Sequence, residues 1–121
     1  MKTLDYAPTD FNDGFVVAIT IEAKPGEEDR VANILDEMAE PTRAEPGVKL
    51  FLPYRSPSNT ALFFVFELYR DPSGWDAHQA TQHFHDAVAD LLPRVVRRDR
   101  IPFVPFMPLS TSARNSARRA D

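Results

Sequence analysis

The spacing of apolar and polar positions changes several times along the chain, and each change predicts an element. Phe15, Val17, Ile19 and Ile21 alternate with their neighbours in a β-branched run, the pattern of a strand with one buried face. Lys24-Pro25-Gly26 breaks it as a turn. Glu27, Glu28 and Asp29 then supply anions that suit the first turn of a helix, and Val31, Ile34, Leu35 and Met38 follow at helical spacing. Pro41 should kink or end that helix, and Glu45-Pro46-Gly47 closes the segment. Val48, Leu50, Leu52 and Tyr54 alternate as a second strand, and Ser56-Pro57-Ser58-Asn59 reads as a hairpin-type loop. Residues 61–69 form a third strand, with Leu62, Phe64, Phe66 and Leu68 on one face and Phe63, Val65, Glu67 and Tyr69 on the other.

Asp71-Pro72-Ser73 opens a short helix in which Ser73 and Asp76 stand at capping-box spacing. Thr81 caps a longer helix carrying Phe84, Val88, Leu91 or Leu92, and Val95, and residues 101–106 form the last strand. The order β-α-β-β-α-β predicts an α+β, ferredoxin-like antiparallel sheet. Proline cannot donate to a ladder, so Pro53 in the second strand and Pro102 and Pro105 in the fourth put those strands at the margins. The proline-free first and third strands belong inside. Both faces of the sheet are apolar, yet helices cover only one. A second copy packed face to face would bury the other, so the pattern predicts a homodimer.

Composition narrows the function classes. The 121 residues suit one domain, read as an arm over 1–13, a folded domain over 14–107 and a disordered tail over 108–121. The net charge of -4 argues against nucleic acid as a partner. The basic group Arg94, Arg97, Arg98 and Arg100 is read as complementing a helix C-terminus. With no cysteine there is no disulfide, thiolate catalysis or thiolate metal site. No membrane-length apolar run and no signal-peptide core at the N-terminus lead to the expectation of a cytoplasmic protein without a membrane partner.

Four pieces together resemble the antibiotic biosynthesis monooxygenase family, the quinol-monooxygenase-like dimeric α+β barrels. They are Val17-Ala18-Ile19-Thr20-Ile21-Glu22-Ala23-Lys24-Pro25-Gly26, Pro41-Thr42-Arg43-Ala44-Glu45-Pro46-Gly47, Phe64-Val65-Phe66-Glu67-Leu68-Tyr69, and Trp75-Asp76-Ala77-His78-Gln79-Ala80-Thr81-Gln82-His83-Phe84. The resemblance implies a homodimer whose subunits oxidise a quinol or polycyclic aromatic with molecular oxygen and without cofactor or metal. It also implies a pocket between sheet and helices, for which Tyr54, Phe64, Phe66, Trp75 and Phe84 are the expected substrate-binding residues. A non-catalytic ligand-binding or structural dimer is the alternative. The family's haem-degrading branch is disfavoured, because the positions where it carries a Trp and an axial His hold His78 and Val88 here.

His78 and His83 match family positions and are the candidate catalytic residues, since an imidazole titrates near neutrality and suits removal of a phenolic proton. The same two residues also suit a hydrogen-bonded brace at the helix junction. His85 lies across the helix from His83, so that pair makes a poor metal site. Glu67, among apolar neighbours, is expected to pair with an arginine or to face the dimer interior.

Overall fold

The computed structural model describes residues 7–106, so residues 1–6 of the arm and the whole 108–121 tail lie outside the described residues. The elements are β1 (Phe15–Ala23), α1 (Glu28–Arg43), β2 (Val48–Arg55), β3 (Leu62–Tyr69), α2 (Pro72–Gln79), α3 (Gln82–Leu91) and β4 (Val95–Phe103). Short 3₁₀ turns occupy Pro8–Asp10 and Leu92–Arg94. The sheet is antiparallel in the order β2-β3-β1-β4, the ferredoxin-like α+β arrangement, with α2 and α3 together making the second crossover. Pro53 and Pro102 stand on the two edge strands, where a residue without an N–H is best tolerated. Among the described residues, no helix is long and apolar enough to cross a membrane.

Alternation assigns the faces. Val17, Ile19 and Ile21 of β1, Phe51 of β2 and Phe63, Val65 and Tyr69 of β3 are buried under the helices, against Val31, Ile34, Leu35 and Met38 of α1. Among the described residues, the opposite face has no helix on it. Leu50, Leu52, Tyr54, Phe64 and Phe66, with Phe11 of the N-terminal arm, line an open depression of about 440 Å³ there. Tyr54, Ile101 and Phe103 are each about half exposed, at 53%, 51% and 52%. A register shift between Val48 and Leu50 lets Val48 turn into the core while Leu50, Leu52 and Tyr54 face outward.

Several boundaries differ from the sequence reading, each for a local reason. Pro41 does not end α1, which runs on to Arg43. Proline forfeits only its own bond to the preceding turn, and Ala44 N–H still reaches Glu40 O at 3.1 Å. The cap of α2 is Asp71 rather than a Ser73–Asp76 box, for the Asp71 carboxylate accepts from Ser73 N at 2.9 Å and Gly74 N at 3.2 Å. Pro93 stops α3 at Leu91, so Val95 is not helical but begins β4, which is earlier and longer than residues 101–106. The arginine group is redistributed accordingly. Arg94 alone follows the helix, while Arg97, Arg98 and Arg100 lie on β4.

Candidate functional site

Three segments meet at one carboxylate. Glu45 sits in the turn after α1, His78 near the end of α2 and His83 in the first turn of α3. A carboxylate oxygen only accepts, so His78 Nδ1–H donates to Glu45 Oε2 at 2.8 Å and His83 Nε2–H donates to the same oxygen at 2.6 Å. The local sequence makes this meeting possible. A side chain added at Gly74 would come within 2.8 Å of Gly47 O, so only two glycines let the start of α2 rest on the turn that carries Glu45. Thr81 then fixes the bend between the helices: its Oγ1 donates to His78 O at 2.7 Å and accepts from Phe84 N at 3.2 Å. The brace between the two histidines therefore exists, with Glu45 as its centre.

His78 is only 1% exposed and borders a small cavity of about 30 Å³ between sheet and helices. Glu67 and Arg98 reach into the same space, whose remaining wall is apolar and includes Val65, Phe84 and Val88. Burial pushes the Glu67 carboxyl up to about 7, although the Tyr69 hydroxyl donates to it at 2.5 Å and Arg100 and Arg98 oppose the rise. Burial, then the Glu67 charge, pushes the Tyr69 phenol above its ordinary range. Burial lowers His78 below an ordinary imidazole, against the pull of Glu45. Burial also lowers Arg98, helped by the neighbouring Arg100 charge. The result is a mostly apolar pocket holding a neutral-leaning imidazole, a carboxyl pushed up to about 7 and a guanidinium.

Beside the cavity, the Arg100 guanidinium lies 5.2 Å from the Trp75 ring centre and 5.5 Å from that of Phe84, and it donates to Gln79 Oε1 at 2.7 Å. Trp75 Nε1 and Arg100 Nε are buried there without a hydrogen-bond partner among the described residues.

The five aromatics expected around one pocket divide between the two sides of the sheet. Trp75 and Phe84 lie on the helix side, near His78 and Arg100. Tyr54, Phe64 and Phe66 lie on the open face, where Tyr54 and Phe64 stack at 5.9 Å, and they do not line the His78 cavity. The reason is the strand period: Phe64 and Phe66 alternate with Phe63 and Val65, and only the latter pair faces the helices. His83 borders a separate cleft between α1 and α3, and His85 is exposed. Glu67 bonds Tyr69 on the helix side instead of facing the open side. Glu45, Arg98 and Arg100 were absent from the expected site. Glu45 reads as an ordinary turn residue beside Pro46-Gly47. The two arginines show their strand alternation only once Pro93 is taken as the end of α3.

A family described as antibiotic biosynthesis monooxygenase matches residues 14–90. A curated protein of Synechocystis sp., described as uncharacterized, is 31% identical over 77 residues, which are 64% of this chain and 52% of that protein. The chain thus spans about half the length of that relative. Among solved structures, PA3566 of Pseudomonas aeruginosa superimposes with a TM-score of 0.74 at 22% identity, over 78% of this chain and 96% of its own. Rv0793 of Mycobacterium tuberculosis gives a TM-score of 0.74 at 25% identity, over 79% of this chain and 98% of its own.

Proposed function

The chain belongs to the antibiotic biosynthesis monooxygenase family, and from that premise we propose that it is a cofactor-independent monooxygenase acting on a quinol or polycyclic aromatic substrate as a homodimer. The observation that carries the reading is the small cavity where His78, oriented through Nδ1 by Glu45, stands with Glu67 and Arg98. With its proton on Nδ1, the imidazole keeps Nε2 as a base for a phenolic O–H. The phenolate gives an electron to dioxygen, and the resulting radicals join in a C–O bond at a ring carbon. The imidazolium returns its proton to the distal oxygen, and that oxygen leaves with the ring carbon's hydrogen as water, so the carbon becomes a carbonyl. One oxygen atom ends in the ring and the other in water, and the substrate supplies all four electrons. Arg98 offers a positive charge to the reduced oxygen species. His83 acts through Glu45 as a positioning residue.

The cavity of about 30 Å³ has room for a water-sized molecule. Ligand pockets usually measure several hundred Å³, so on this reading a ring requires the lining, Phe84 among it, to move aside. The same small volume favours the second reading, a structural dimer without turnover. Oxygen uptake with a panel of hydroquinones, in chelator-treated buffer with catalase, separates the two. Turnover that falls about 10²-fold in His78→Ala, with His78→Gln as a control for folding, supports the monooxygenase. Absence of uptake by the intact protein across the panel supports the structural dimer.

A further inference from the structure

We propose that Glu45, His78 and His83 form a binding site for a divalent transition-metal ion of the Zn²⁺ type. Each residue offers one ligand atom, and the three atoms lie within 4.8 Å of one another. Both imidazole nitrogens already converge on a single carboxylate oxygen, at 2.8 and 2.6 Å. Around an ion with bonds of about 2.0–2.2 Å, ligand atoms stand roughly 3–3.5 Å apart. To admit one, the two histidine contacts lengthen by up to about 0.9 Å and the widest ligand pair, at most 4.8 Å apart, closes to the same spacing. The donors come from three segments locked together by the Gly47–Gly74 contact and the Thr81 cap, so the arrangement exists before an ion arrives.

A separate observation points the same way. Glu45 Oε1 is buried and has no hydrogen-bond partner among the described residues. A buried carboxylate oxygen without a donor is costly, and a cation beside it supplies what is missing. Two imidazoles and one carboxylate suit Zn²⁺ and its neighbours rather than Ca²⁺ or Mg²⁺, which prefer oxygen alone, and they leave further positions for water. There is also an approach. The His83 side chain is 29% exposed at a cleft of about 240 Å³ between α1 and α3, bordered by Glu37, Asp86 and Asp90. Arg30 offsets Glu37 and Asp90, so the cleft is a polar passage and not a competing acidic site.

Ligation through Nδ1 leaves the remaining His78 proton on Nε2. On the monooxygenase reading, and only there, the ion would then be an inhibitor, because the base would already be protonated. Binding itself does not depend on that reading.

The test uses the full, untagged chain after chelator treatment, titrated with Co²⁺ by visible absorption and with Zn²⁺ by calorimetry. One ion per chain is expected, weakened about 100-fold or more by His83→Ala and by Glu45→Gln. His85→Ala, which alters an exposed histidine outside the cluster, should leave affinity unchanged. The imidazole NMR signals of His78 and His83 in the unmodified protein should shift with Zn²⁺, which keeps the test valid if a variant fails to fold. No saturable binding below about 1 mM (far weaker than usual for structural Zn²⁺), undiminished binding in His83→Ala, or shifts confined to His85 would each overturn the proposal. If the ion binds but no hydroquinone consumes oxygen, the metal site stands and the monooxygenase reading falls.

Discussion

Glu67 carries its carboxyl to the helix side of β3, where the Tyr69 hydroxyl bonds it and Arg98, Arg100 and Glu45 supply nearby charges. Its folded value of about 7 stands above the ordinary 4.5, so between those limits the folded chain holds a proton that the unfolded chain has lost. For this group, stability is greatest below the unfolded value, falls as pH climbs through the window, and is fully reduced above about 7. The size of the effect is about 3 kcal/mol. Glu67→Gln removes the titration, so its stability relative to the parent should rise by about that amount between pH 4.5 and pH 8 in urea melts. Parallel curves would show that the carboxyl is ionised throughout. At this scale the sequence was partly readable. A glutamate among alternating apolar residues announces burial, and two histidines flanking a cap announce a junction. Glu45 gave no such signal, because a carboxylate beside Pro-Gly is what any solvated turn contains.

Gly74 illustrates how an element's neighbours override its own preferences. In a free helix, replacing an interior glycine by alanine gains about 1 kcal/mol. Here the added methyl would stand 2.8 Å from Gly47 O and 3.2 Å from Gly47 Cα, both backbone atoms that cannot swing aside. Gly74→Ala should therefore lower stability by about 1–3 kcal/mol, seen as a lower melting temperature. It should also loosen His78 from Glu45, visible as a changed His78 imidazole signal. An unchanged or higher melting temperature would mean that α2 slides freely over the turn. The elements themselves were largely legible, because β1, α1 and β3 carry long, unambiguous periods. The α3–β4 boundary was not. Leu91, Leu92 and Val95 continue the helical spacing by coincidence, and Pro93 decides against it.

For the whole molecule, the unanswered surface is the open face of the sheet. Tyr54, Phe64, Ile101 and Phe103 are exposed there, in a patch of the kind soluble monomers seldom keep. On the homodimer proposal, sedimentation at micromolar concentration should give twice the mass of one chain. Phe64→Asp, which buries a charge in that interface, should shift the protein to a folded monomer. A parent protein that sediments as a folded monomer would refute the dimer. An apolar alternation on both faces was visible in the sequence, but which face the helices take was not. That choice depends on the handedness and length of the crossovers, and it is why the aromatics of β2 and β3 fell on the other side from Trp75 and Phe84.

β4 pairs with β1 from near opposite ends of the described chain, with Phe103 beside Val16. A ribosome makes β1 first and β4 last, so during synthesis one edge of β1 has no partner until nearly the whole domain has emerged. A bare central strand is an open invitation to another chain, and pairings this remote are slow to form. The nascent domain is thus most open to foreign pairing just before its last strand emerges. Arg98 and Arg100 arrive with that last strand, so until it docks Glu67 has no cation from β4 nearby.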